Sequence, residues 1–181
     1  MKMKPFVAAL AVVVSLMSLI SCEKEGVKLF DGNYSFKTSG ILTVERIAKV
    51  SESDASAEIL DIPDGNRTFR LALTSESGQM NVIKTGDNSV IVTMNVVGGD
   101  AFVFSGKAEG KVLTLDPAVR FVSFRDGANT VSLEITVSGT AEKHDDVAVF
   151  TLEYTGGGET TLYDYKILAS EVKCVAKLNE D

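Results

Sequence analysis

The chain has 181 residues, 25 of them acidic against 18 basic, and a formal charge of −7. An acidic chain without a basic run has the wrong sign for tracking nucleic-acid phosphates, and its charge favours solubility. The length suits one ordinary domain with a proper core.

Lys2 and Lys4 open the chain, and residues 6–20, FVAALAVVVSLMSLI, carry no charge. The run is too short to span a bilayer comfortably and is apolar on every side, which suits a secretory signal peptide better than a core helix. Leu19-Ile20-Ser21-Cys22 follows. It resembles the lipobox of bacterial lipoproteins: an aliphatic residue, two tolerant positions ending in a small one, then cysteine. The resemblance implies a diacylglycerol on the Cys22 thiol, cleavage after Ser21 and acylation of the new amine, leaving residues 22–181. Several acyl chains on one residue anchor durably, where a single chain binds marginally. Losing Lys2 and Lys4 takes the formal charge from −7 to −9, which argues against a second, electrostatic membrane anchor. The second residue after Cys22 is Lys24, not aspartate. Aspartate there resembles an inner-membrane retention signal, so the expected address is the outer membrane. Glu23-Lys24-Glu25 resembles the surface-export signal of Bacteroidetes lipoproteins and reads equally as a solvated tether, so the periplasmic and surface faces both stay open. The expected organisation is a signal peptide at 1–21, a lipidated tether at 22–30 and a β-rich domain at 31–181.

Past Gly26 short runs rich in Val, Ile, Thr and Phe alternate with Gly, Asp, Asn and Ser, the pattern of strands and turns. YSFKTSGILTV begins the series, and TFRLALT places Phe69, Leu71 and Leu73 on one face. MNVIKT and SVIVTMNVV come next, and DAFVFSGKAEGKVLTLD suggests a hairpin turning at Glu109-Gly110. RFVSF precedes the turn signal RDGANT. In TVSLEITVSGT, Val131, Leu133, Ile135 and Val137 point one way and the polar residues the other. VAVFTLEY follows the turn EKHDD, and TGGGET reads as a flexible hairpin. YKILASEVKCV fits a helical stripe of Tyr165, Leu168, Val172 and Val175, but its β-propensity predicts a strand. SESDASAEIL, residues 51–60, fits a short helix capped by Ser51 or Ser53.

Nine or ten strands with short connections predict a single antiparallel β-barrel or β-sandwich. VIVTMNVV and FVF are apolar on both faces, as in strands that are covered on both sides or line a cavity. Gly32, Tyr34, Gly40 and Leu42 are arranged like the opening strand of small calycin-like barrel lipoproteins of Bacteroidetes, and FSGKAEGKVLTLD resembles a hairpin of that group. Gly32-Asn33-Tyr34 stands where lipocalins carry Gly-x-Trp, although the chain has no Trp.

Catalytic constellations are not evident. The one histidine, His144, sits in AEKHDDV, and three adjacent turn residues converge poorly on one ion, so a solvated turn is expected and no metal. Gly-x-Ser-x-Gly is absent, and TGGGET lacks the spacing of a phosphate loop. Asp61, Asp64, Asp145 and Asp146 suit turns as well as calcium. With Cys22 acylated, Cys174 has no partner and falls in step with Val172, Ala176 and Leu178, as a buried hydrophobe would. The expected protein is therefore a non-enzymatic lipoprotein without cofactor or nucleic-acid partner. Its barrel would bind a small apolar or amphipathic ligand against Phe102, Phe104, Phe121, Phe124 and Phe150. The alternative is a structural or interaction subunit contacting another envelope protein, which an apolar patch or an unpaired edge strand would mark.

Overall fold

The computed structural model describes residues 26–49, 67–73 and 75–180. Cys22, with the lipobox residues Leu19, Ile20 and Ser21, lies outside the described residues, as do the 51–60 segment, Asp61 and Asp64. Nine strands follow one another: β1 Gly32–Ala48, β2 Arg67–Ala72, β3 Glu76–Lys84, β4 Ser89–Val96, β5 Ala101–Glu109, β6 Val112–Asp126, β7 Asn129–His144, β8 Val147–Glu159 and β9 Tyr163–Leu178. All pairings are antiparallel between neighbours, and β1 pairs with β9 along almost its whole length, from Tyr34↔Leu178 to Ala48↔Tyr163. The sheet therefore closes on itself as a barrel with a ring of eight strands, which resolves the choice between barrel and sandwich. β2 and β3 share one edge of β1: β3 pairs with Gly32–Thr38 and β2 with Ile41–Arg46.

Period-2 alternation builds the core. Val131, Leu133, Ile135 and Val137 are buried, and Ser132 and Glu134 face water. Met80, Val82, Val90, Val92, Leu113 and Phe150 meet them from the other strands. The C-terminal segment is a strand, with Val172, Cys174 and Ala176 buried in step. The strands apolar on both faces send one face into the core, where Val90, Val92, Met94 and Phe104 are buried. On the other face, Val97 and Val103 are more than half exposed and Ile91 is partly so. Tight turns join Glu109 to Val112, Asp126 to Asn129 and His144 to Val147. Asp145 takes a φ of 53° in the last of these, a conformation that aspartate tolerates better than most residues.

The glycine-rich stretch departs from expectation. Gly156, Gly157 and Gly158 lie within β8, not in a hairpin, and the turn comes after them at 160–162. Gly157 pairs with Glu134 of β7 on one side and Lys166 of β9 on the other. The glycines are there because neighbouring backbones approach closely, as at the bends of barrel strands.

One end of the barrel is plugged by a helical turn at 26–30, so the stretch expected as tether joins the folded body from residue 26 onward. Val27 and Phe30 are fully buried there. The Tyr34 hydroxyl donates to the Phe30 carbonyl at 2.8 Å, and the Lys143 ammonium donates to the Leu29 carbonyl at 2.7 Å and to the Tyr34 oxygen at 3.0 Å. These contacts satisfy carbonyls that a helix end leaves open. Burial holds the Lys143 ammonium below the ordinary lysine range. Lys143→Met should cost about 1–3 kcal/mol by stranding the Leu29 carbonyl, read as a lower urea midpoint with an unchanged denaturant slope.

Candidate functional site

Among the described residues, the barrel wall is incomplete on one side. Pairing of β5 with β6 stops at Gly106↔Leu115. Just beyond, Asp116-Pro117 forms a bulge that shifts the β6–β7 register between Leu115 and Ala118. Proline lacks the N–H that a ladder needs. β6 then continues to Asp126 paired only with β7. β4 and β5 end at the 97–100 turn, and β2 pairs only with β1. Among the described residues, six strands rather than eight make up the wall above that turn, and the facing edges of β2 and β6 have no ladder partner.

Three adjoining recesses occupy this gap, and Arg120 lines all of them. The innermost, about 210 Å³, lies between Leu71–Leu73 of the β2 side and Arg120–Ser123 of β6, with Thr38, Glu76 and Tyr154 also lining it. An outer notch of about 370 Å³ sits over the turn, against Val96, Phe102, Val119 and Phe121. The third, about 110 Å³, lies where β5 and β6 part.

Arg120 crosses the gap. Its two Nη atoms donate to the Glu76 carboxylate at 2.6 and 3.2 Å, a bidentate geometry. Its guanidinium carbon lies 3.9 Å from the centre of the Phe102 ring, a cation–π contact. Only 14% of the Arg120 side chain and 26% of that of Glu76 are exposed. Burial works against the Arg120 charge, but the hydrogen bonds and charge of Glu76 outweigh it and keep the guanidinium fully protonated. Behind the pair, burial raises the Tyr154 hydroxyl above its ordinary range, with Arg120 pulling the other way. Arg120 Nε and the Thr38 hydroxyl oxygen are buried without a hydrogen-bond partner among the described residues. Cys174 is fully buried, and that burial pushes its thiol up to about 11, so it is no nucleophile at neutral pH.

A second polar cluster braces the barrel's open half. Asp126 accepts from Arg46 at 2.9 Å and from the Tyr165 hydroxyl at 2.8 Å. The Arg46 guanidinium lies 4.4 Å from the Tyr163 ring centre, and Phe124 packs edge-on against Tyr165. Burial alone would raise the Asp126 carboxyl, but the Tyr165 and Arg46 hydrogen bonds hold it below its ordinary range. Burial, and then the hydrogen bond to Asp126, push the Tyr165 hydroxyl up to about 12. A carboxyl depressed on folding stabilises above its unfolded pKa, about 3.9, and loses that contribution as pH falls through the folded value. Asp126→Asn should therefore lower stability at neutral pH and flatten the acid limb, measured as urea midpoints from neutral pH downward.

The five candidate phenylalanines separate into distinct environments. Phe104, Phe124 and Phe150 are buried in the packed core. Phe102 lies under Arg120 in the gap. Phe121 is 65% exposed and forms the outer lip of the gap. No single pocket gathers them. The residues that shape the floor, Thr38, Glu76, Arg120 and Tyr154, escape a reading of the sequence by residue type. The signal for Arg120 is Asp116-Pro117: a bulge there puts Ala118, Arg120 and Val122 inward and turns Val119 and Phe121 out.

A broader depression of about 710 Å³ lies on the outer face beside β8 and β9, where their pairing lapses between Leu152 and Gly157. It is shallower and holds no buried ion pair, so the gap is the better candidate. His144, in the β7–β8 turn, is mostly exposed, 3.7 Å from Glu142. Asp145 and Asp146 form that turn, and no cluster of three or more metal-ligating side chains occurs among the described residues.

No protein-family model and no curated protein matches the sequence. Among solved structures, the chain is similar to a redesigned β-barrel at 12% identity, with a TM-score of 0.34 over 86% of this chain and 96% of that one.

Proposed function

We propose that this chain is a lipid-anchored outer-membrane protein that binds a small amphipathic molecule in the lateral gap of its barrel. The observation that carries the reading is the floor of that gap. A bidentate ion pair, Glu76–Arg120, and two unpartnered polar atoms sit inside apolar lips made by Leu71, Leu73, Phe121 and Val122. Ligand sites combine an apolar lining with a few convergent polar groups. Thr38, Arg120, Val122 and Tyr154 reach this floor from the inner faces of their strands. The role proposed is binding, supported by a floor whose charges are already paired with each other.

Anchoring through Cys22 suits the same geometry. Gly26, at the plugged end, follows Cys22 by four residues, a reach of at most about 14 Å. The plugged end would face the lipid and the gap would open further from it, on either face of the membrane. Cys22→Ala should leave an unacylated precursor, detected by the mass of the purified chain; normally acylated product from that variant would refute the anchor.

Native mass spectrometry of the envelope-purified protein tests the binding role. A reproducible bound small molecule that Arg120→Ala loses supports it, and a chain empty at every purification strength overturns it. One observation favours the alternative, an interaction subunit: the unpaired β6 edge carries the exposed Val119 and Phe121, and such an edge can accept a partner's strand. An empty protein that crosslinks in cells through a residue placed at 119 would establish that reading instead.

A further inference from the structure

We infer that the gap selects amphipathic molecules with an uncharged hydrogen-bonding head, an alcohol or a primary amide, over carboxylates and amines. This rests on the binding role proposed above and specifies its ligand class. The charge of the floor is already balanced. Both Nη atoms of Arg120 are taken by the two oxygens of Glu76. A carboxylate entering the recess would meet Glu76, and in the outer notch Asp100 as well. An ammonium would meet Arg120. Either ion would be desolvated without a free counter-charge, which is costly in a partly buried site.

What the floor lacks is well-formed hydrogen bonding. The Cys174 thiol beside Thr38 and the Tyr154 hydroxyl beside Arg120 interact with those groups, but they complete no hydrogen bond of good geometry to the Thr38 hydroxyl or to Arg120 Nε. The Thr38 residue is 3% exposed, and its hydroxyl oxygen has no partner among the described residues; Arg120 Nε–H, beside the same recess, has none either. Buried polar groups in this state are rare in folded proteins and call for an explanation, which a bound head group would supply here. A hydroxyl head accepts from Arg120 Nε–H and exchanges a hydrogen bond with Thr38, because it both donates and accepts. A primary amide does the same. The inner recess, about 210 Å³, is below the roughly 300–1,000 Å³ of drug-sized pockets. It takes the head, while an apolar chain lies in the outer notch over Phe102 and Val119.

The test is calorimetric titration of the mature acylated chain in detergent with hexanol, hexanamide, hexanoate and hexylamine, with Thr38→Val alongside. Thr38→Val is close in shape and removes an unpartnered polar group, so it keeps the fold. Hexanol and hexanamide should bind about tenfold tighter than the two ions, and Thr38→Val should lose several-fold for hexanol. Equal affinities for all four heads, or undiminished hexanol binding by Thr38→Val, would show a floor that holds only water and overturn the inference while the amphipathic site stands. Tightest binding of hexanoate overturns it by making Arg120 a carboxylate receptor. If none of the four binds but native mass spectrometry still finds an envelope molecule, the head-group inference alone fails; if the protein is empty there too, the binding role fails with it.

Discussion

Arg120→Ala should destabilise the barrel by about 2–3 kcal/mol and abolish binding in the gap. Removing one partner of a fully buried ion pair costs roughly 3–5 kcal/mol, because the other charge is left without compensation. Here the Glu76 side chain is 26% exposed, so water reaches it and the cost falls to the bottom of that range or somewhat below it. Loss of the stack on Phe102 adds to the effect. The companion experiment separates stability from function. Glu76→Leu combined with Arg120→Met replaces the pair by apolar groups of similar reach, which is often neutral or stabilising for buried pairs. The double variant should recover most of the stability in urea titrations but remain unable to retain an envelope molecule in native mass spectrometry. That outcome would show that the pair exists for the ligand rather than for the fold. If the double variant instead binds as the parent does, the ion pair only braces the two strand edges, and the lips of the gap carry recognition.

The architecture was legible because closure of a barrel is written in repeated local signals. Alternation in TVSLEITVSGT and polar punctuation at RDGANT and EKHDD place strands and turns without knowledge of the whole. Closure itself, β1 against β9, is a pairing between the two ends of the domain, and alternation carries no trace of which strands meet. The candidate site was hidden by a change of phase. Phe121 and Phe124 are three residues apart, so a strand must send them to opposite faces; the core takes Phe124 and Phe121 faces water. Asp116-Pro117 decides which face is which, and with it that a charged Arg120 points inward. Thr38 looks like any strand threonine until Arg120 and Tyr154, far along the chain, are brought beside it. The glycines of TGGGET show the reverse difficulty. Glycine is as much at home where backbones crowd as where they turn, and only the neighbouring strands distinguish the two.

That crowding carries the other large effect. Gly157→Ala should cost about 3 kcal/mol, the upper range for forcing a methyl into a packed site. A Cβ on Gly157 would fall onto the Tyr165 carbonyl oxygen, and backbone is the neighbour least able to yield. β8 is held there from both sides, by Glu134 of β7 and Lys166 of β9, and the β8–β9 ladder has only just resumed at this residue after its lapse from Leu152. Moving β9 outward at Tyr165 would also pull its hydroxyl from Asp126, 2.8 Å away, and unsettle the brace that ties β9 to β6. Urea denaturation with Gly86→Ala as the control measures the effect. Gly86 lies in the β3–β4 turn, where a Cβ would make ordinary contact with Ser89 at 3.4 Å, so its change should stay within about 0.5 kcal/mol. The acid limb supplies a second reading. If the methyl acts through Tyr165, Gly157→Ala should flatten the Asp126-dependent loss of stability as pH falls, as Asp126→Asn does. A destabilised variant that keeps the parental acid limb would place the strain within β8 alone and disconnect the glycine stretch from the Arg46–Asp126–Tyr165 brace.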